Sequence, residues 1–105
     1  MRESQIEAKL GKAIKSHGGL YYKFVSPGNS GVPDRIIILP GGKVIFVELK
    51  AKAGKLSALQ QNQITRLRDK GADVRLIRGW EEAQVFIKEV MPFEVHSTRI
   101  PAICD

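Results

Sequence analysis

Two carboxylates and an ammonium stand at the ends of two β-rich runs in an otherwise basic stretch. Asp34 and Glu48 are the only acids between Ala8 and Arg68, a span that holds eleven lysines and arginines. The runs Asp34–Leu39 and Lys43–Lys50 are joined by Pro40-Gly41-Gly42, which reads as a hairpin. If the three-residue turn centres on Gly41, Asp34 falls directly across from Glu48, with Cβ atoms ~5 Å apart. A two-residue turn would instead turn the acids away from each other. Paired carboxylates repel unless a proton or cation sits between them. Lys50, two residues past Glu48, points to the same face of its strand. Hard oxygen donors suit Mg²⁺ or Mn²⁺, which keep several waters and bind substrate phosphate. Such a metal could polarise a phosphodiester and lower the pKa of a bound water. Lys50 could orient that water or offset charge on phosphorus. Zinc is disfavoured, because neither His17 nor His96 belongs to a ligand-spaced cluster. The competing structural reading is a solvated salt bridge of Asp34 or Glu48 with Lys50 or Arg35.

The elements that must position these groups follow from periodicity. Ile6, Leu10, Ala13, Ile14 and His17 predict a helix from Ser4 to about His17, with Ser4-x-x-Glu7 in capping-box form. Gly18-Gly19 ends it. Leu20–Val25 reads as a strand, and residues 26–33 as a loop. The hairpin follows. A second helix runs from Ser57 to about Lys70, with Leu59, Gln60, Gln63, Ile64 and Leu67 along one face. Asp73–Arg78 is a strand, and Glu81–Val90 a third helix that Pro92 stops. Phe93–Asp105 has no clear period, although its apolar residues suggest docking or dimer formation. The order αβββαβα predicts a mixed α/β sheet flanked by helices.

The 105 residues suit a single domain over 1–92 with a tail over 93–105. A hydrophobic fraction of 43% and a charged fraction of 27% argue against disorder. The longest aliphatic run, Ile36–Leu39, is far short of a membrane helix. The N-terminus lacks an apolar signal segment, so an intracellular protein is expected. Cys104, the single cysteine, can form neither an internal disulfide nor a cysteine metal cluster. A net charge of +6 and a pI near 9.7 suggest a polyanionic partner. Lys9, Lys12, Lys23, Arg35, Lys52 and Lys55 are the candidates for tracking phosphates without reading sequence. Trp80 and His17 read as packing residues. Tyr21 and Tyr22 alternate faces, one for the core and one available to DNA.

Pro33-Asp34 with Glu48-Leu49-Lys50 resembles the PD-(D/E)xK nuclease signature. The wider pattern is more specific: Lys23-Phe24, Ser26-Pro27-Gly28, Gly31-Val32-Pro33-Asp34-Arg35, Phe46-Val47-Glu48-Leu49-Lys50-Ala51 and Leu56-Ser57-x-x-Gln60. It resembles the stand-alone form of the VRR-NUC (virus-type replication-repair nuclease) family, from about Arg2 to Val90. The resemblance implies a restriction-endonuclease-like αβββαβ core. It implies Asp34, Glu48 and the Leu49 carbonyl as metal ligands and Lys50 as the catalytic lysine. Gln60 would support the site from the next helix, and Glu7 would lie near the metal. Stand-alone members resemble Holliday-junction resolvases and act as homodimers on branched DNA with Mg²⁺ or Mn²⁺. Two assignments have local rivals. Gln60 also stands at capping-box spacing from Ser57, and Glu7 from Ser4, with Glu3 one turn earlier as an alternative acid.

The expectation is therefore a metal-dependent, structure-specific DNA endonuclease without a nucleotide cofactor. A nuclease for flapped or nicked DNA or for RNA is the nearest alternative. A non-catalytic nucleic-acid-binding module is the alternative from another class, but it would gain from losing two carboxylates in a basic groove.

Overall fold

A computed structural model describes residues 1–91. Within them the chain forms α1 (Glu3–Ser16), β1 (Leu20–Lys23), β2 (Arg35–Ile38), β3 (Val44–Lys50), α2 (Ala58–Asp69), β4 (Asp73–Arg78) and α3 (Gly79–Val90). The expected tail over 93–105, its docking role and the stop at Pro92 lie outside the described residues. The four strands form one sheet in the order β1-β2-β3-β4. The first two pairings are antiparallel, and β3–β4 is parallel across the α2 crossover. This is the expected mixed α/β architecture.

One face of the sheet makes the main core. Ile37, Ile45, Val47 and Leu49 are completely buried against Ile6, Leu10 and Ile14 of α1 and Ala83 and Phe86 of α3. Each such aliphatic side chain contributes about 1.5–3 kcal/mol on leaving water. Because strand side chains alternate, burying Val47 and Leu49 obliges Glu48 and Lys50 to face the opposite side, towards α2.

The hairpin turn decides whether the two acids meet. The Leu39 amide donates to the Lys43 carbonyl at 2.9 Å, and the Gly42 amide to the Leu39 carbonyl at 2.8 Å. Gly41 and Gly42 take φ of 97° and 93°, values other residues rarely adopt. The loop is thus the three-residue one. The register Ile38↔Val44 through Arg35↔Val47, carried one step further, sets Asp34 opposite Glu48.

Several boundaries differ from the periodicity. α1 starts at Glu3 because the Gln5 side-chain oxygen accepts the Arg2 amide at 2.7 Å. The expected Ser4–Glu7 box does not form, because Glu7 is held elsewhere. β1 stops at Lys23, although the Phe24 amide still donates to the Asp34 carbonyl at 2.8 Å. α3 begins at Gly79 rather than Glu81, because the Glu82 carboxylate accepts the Arg78 amide at 2.8 Å. On α2, Ile64 is buried while Leu59 is 58% exposed. Leu59 lies off the stripe of Gln60, Gln63, Ile64 and Leu67, and it serves the fold through its backbone instead.

That backbone is where the 26–33 loop is anchored. A Cβ on Gly31 would stand 2.7 Å from the Leu59 carbonyl carbon and oxygen, and Gly31 has φ of +89°. Only glycine permits this close approach, which seats Pro33 and Asp34 beside the start of α2. Gly31→Ala is expected to cost about 1–3 kcal/mol, measurable by urea denaturation. It should also reduce any activity that needs Asp34 and α2 in fixed relation.

Candidate active site

Asp34 is held from two sides. Its carbonyl accepts the Phe24 amide, and its Oδ2 accepts the Leu49 amide at 3.0 Å. Both bonds come from neighbouring strands, so its carboxylate is fixed at the sheet end without being neutralised. Glu48 is 1% exposed. Its Oε2 accepts the Gln60 side-chain amide at 3.0 Å and lies 3.7 Å from Lys50 Nζ. Its Oε1 has no hydrogen-bond partner among the described residues. A buried carboxylate oxygen left bare is costly, because water has been removed and nothing has replaced it.

Burial, and next the charge of Asp34, push the Glu48 carboxyl up to about 7 from its ordinary 4.5, with Lys50 pulling the other way. The expected juxtaposition of Asp34, Glu48 and Lys50 is therefore present, and the acids repel. The alternative of a solvated salt bridge does not describe Glu48, which is neither solvated nor fully paired.

Gln60 makes the contacts that both of its suggested roles require. Its side-chain oxygen accepts the Ser57 amide at 2.9 Å, and the Ser57 hydroxyl accepts the Gln60 amide at 3.1 Å. The other end of the same amide donates to Glu48. The cap thus orients the group that holds the acid. Ser57→Ala should lower stability by about 1 kcal/mol and leave the Glu48 contact in place. Gln60→Ala should cost similar stability and also activity. Equal turnover in the two variants, with equal melting temperatures, would reduce Gln60 to a helix cap.

Glu7 binds the residue that follows Asp34 in the chain. Its Oε2 accepts Arg35 Nε at 2.8 Å, and its carbonyl accepts the Tyr21 hydroxyl at 2.9 Å. The first-helix acid whose charge acts on Glu48 is Glu3. Arg35 is correspondingly committed: paired to Glu7 and stacked 4.6 Å from the Tyr21 ring centroid, it braces α1 against the strand that carries Asp34. Tyr21 is the half-buried tyrosine, and Tyr22 is 53% exposed.

Among the other basic candidates, Lys12, Lys23, Lys52 and Lys55 are exposed, and none of them is in the ion pairs of Arg35, Lys43, Lys50 and Arg75 found among the described residues. Lys9 lies over the Trp80 ring, 4.5 Å from its centroid. No local sequence pattern pointed to that contact, since the two residues come from different helices.

The donor set fits a hard divalent cation. Asp34 and Glu48 supply carboxylate oxygens, and the bare Glu48 Oε1 lacks the positive partner a cation would be. Among the described residues no group of three or more His, Cys, Asp and Glu side chains gathers as a metal cluster. A cation bound by only two carboxylates retains waters, which is the habit of Mg²⁺.

A buried glutamate facing a half-buried aspartate, with a lysine on the same face at the end of a mixed sheet, is the arrangement expected of a PD-(D/E)xK-type nuclease site. Comparison with known proteins narrows the class. Residues 2–81 match the VRR-NUC domain family. A protein of Acyrthosiphon pisum secondary endosymbiont phage 1, named "Putative nuclease p44", is 49% identical over 67 residues, which span 64% of this chain and 72% of that one. A solved structure titled "VRR_NUC domain" superposes with a TM-score of 0.77 at 30% identity, covering 82% of this chain and 94% of the other. A second, "VRR_NUC domain protein", shares the fold with a TM-score of 0.71 at 15% identity, covering 90% and 92%. The chain belongs to the VRR-NUC domain family, a family of nucleases.

Proposed function

We propose that this nuclease is an endonuclease that hydrolyses DNA phosphodiesters with Mg²⁺ or Mn²⁺, that it prefers branched DNA, and that it works as a homodimer. The observation that carries the hydrolytic reading is Glu48: a buried acid facing a second acid, with one oxygen left without a partner. A surface evolved only to bind phosphate would not keep that arrangement.

Asp34, Glu48 and the Leu49 carbonyl would hold the cation. When bound, it supplies Lewis acidity towards the phosphate and activates water. Lys50, 17% exposed and beside Glu48, presents an ammonium to the attacking water or to charge developing on the phosphate. Gln60 fixes the orientation of Glu48. Glu7 acts through Arg35 as a positioning residue, while Glu3 adds to the negative field. Lys12, Lys23, Lys52 and Lys55 would track the backbone, so binding should weaken steeply with salt.

The dimer reading rests on the α2-side face of the sheet. The cross-strand rows Leu20–Ile38–Val44 and Tyr22–Ile36–Phe46 follow the register. Leu20, Tyr22 and Val44 are 45%, 53% and 43% exposed. Among the described residues α2 packs on β4 and leaves the β1–β2 end of this face open. A contiguous apolar face of this kind suits a two-fold partner.

The test is a cleavage panel of linear duplex, flap, four-way junction and single-stranded RNA, with and without Mg²⁺, beside light scattering. A dimer that cuts the junction fastest and only with metal supports the proposal. Preferential cutting of flaps or RNA would move the substrate assignment. Binding without cleavage of any substrate would leave a non-catalytic module. Among the described residues no helix is long and apolar enough to cross a membrane.

A further inference from the structure

The sequence holds one tryptophan, and its surroundings suit more than packing. Trp80 rests against the main core yet stays partly exposed in the first turn of α3. It lies just beyond the sheet end where β3 and β4 deliver Lys50 and Arg78 side by side. Lys9 lies over its ring. Lys52 and Arg78 line with it a cleft of about 120 Å³ that Glu81 and Glu82 complete. Lys52 packs on Gly79 and follows Lys50 by two residues, so the cleft adjoins the catalytic end of the sheet. Of the two acids, Glu82 is already used to cap α3.

We propose that Trp80 is a stacking position for an unpaired base of the nucleic acid, with Lys9 and Lys52 as the flanking phosphate contacts. The inference rests on the nuclease reading for its substrate class and extends it to a means of choosing substrate shape. Every base offers a π-face, so stacking on an indole is tolerant of sequence and contributes about 5- to 150-fold in affinity per base. The Lys9 ammonium over an exposed ring contributes only about 2- to 5-fold. Exchange therefore favours the base, and the released ammonium moves to a phosphate. Inside a duplex each base is already stacked on both neighbours and has no free face. An unpaired nucleotide at a branch point, in a flap or in a single strand has one. Trp80 thus selects for interrupted duplex without reading its sequence.

Trp80 fluorescence reports the event directly because no other tryptophan contributes. The experiment titrates the Glu48→Gln protein, in Mg²⁺, with single-stranded oligothymidylate, with hairpin-closed duplex, and with a junction that carries unpaired nucleotides at its branch point, either intact or abasic. Occupancy is followed separately by anisotropy of a labelled strand. At equal occupancy, the single strand and the intact junction should quench the emission, because a base stacked on the indole contacts the emitting ring directly. The duplex and the abasic junction should leave it nearly unchanged. Trp80→Ala should weaken single-strand binding roughly 10-fold and duplex binding by less than about 2-fold, and Trp80→Phe should recover most of the loss. Unchanged emission at saturation with single strand, or equal quenching by the abasic junction, would overturn the proposal. So would equal weakening of all substrates in Trp80→Ala. Failure here while the wild-type protein cuts DNA removes the stacking position and leaves the nuclease. Quenching by single strand in a protein that cuts no phosphodiester retains the stacking position and removes the nuclease reading.

Discussion

Lys50→Ala is expected to reduce turnover by about 100- to 1,000-fold, the effect of removing one group aimed at developing charge, while divalent cations still stabilise the protein. Asp34→Asn and Glu48→Gln should lose turnover to at least the same extent and lose that stabilisation as well. The difference follows from the geometry. Lys50 sits beside Glu48 Oε2 and is not an oxygen donor, so in the proposed mechanism it would serve the reaction and not the holding of a cation. Asp34 is fixed by the Leu49 amide and faces Glu48 across the hairpin, so its loss leaves one carboxylate where two are needed. Initial rates on a labelled junction, beside thermal melts with and without Mn²⁺, separate the two classes. Normal turnover in any of the three metal-saturated variants would remove that residue from the site.

The second large effect is on stability. Without metal, the Glu48 carboxyl titrates at about 7 in the folded protein, against 4.5 ordinarily. Between those values the folded chain holds a proton that the unfolded chain has released. The contribution of this group is therefore most favourable below about pH 4.5. It declines as the pH rises through about 7 and is flat above, a change on the order of 1 to 3 kcal/mol. Glu48→Gln, neutral throughout, should lack that slope. In chelator at pH 8 it should melt above the wild-type protein. Adding Mg²⁺ or Mn²⁺ at pH 8 should reverse the ranking, because a ligand that binds the folded state stabilises it by mass action and the variant binds it poorly. Melts across pH in EDTA and then in excess metal check both halves. Parallel pH curves for the two proteins would mean that Glu48 is not the strained group.

The strands and helices were legible because apolar periodicity alternates cleanly between two and three to four residues. Asp73–Arg78 kept its bounds from sequence to structure. The Asp34–Glu48 pairing was legible only up to a condition, since a hairpin's register depends on its loop. Gly41 and Gly42 met that condition by both adopting positive φ. Helix starts were harder, because capping competes among neighbouring polar residues. Ser4 and Glu7 have the right spacing, but Arg35, distant in sequence, takes Glu7, and Gln5 caps the helix instead. For the same reason Arg35 is a brace for α1, despite its place in a basic stretch. Gln60 shows the opposite case. Spacing offered a cap or a site residue as rivals, and a side-chain amide has two ends that serve both. The contact of Lys9 with Trp80 joins α1 to α3 and had no local signature.

Single-turnover cleavage of an end-labelled four-way junction by chelator-stripped protein, with Mg²⁺ added back, tests the central claim most directly. The wild-type protein should give no product in EDTA and cut promptly once Mg²⁺ is restored, while Glu48→Gln, folded and bound to the same junction, stays silent. Cleavage that persists in EDTA, or a Glu48→Gln protein that cuts at the wild-type rate, would contradict a phosphodiesterase site built on Asp34 and Glu48.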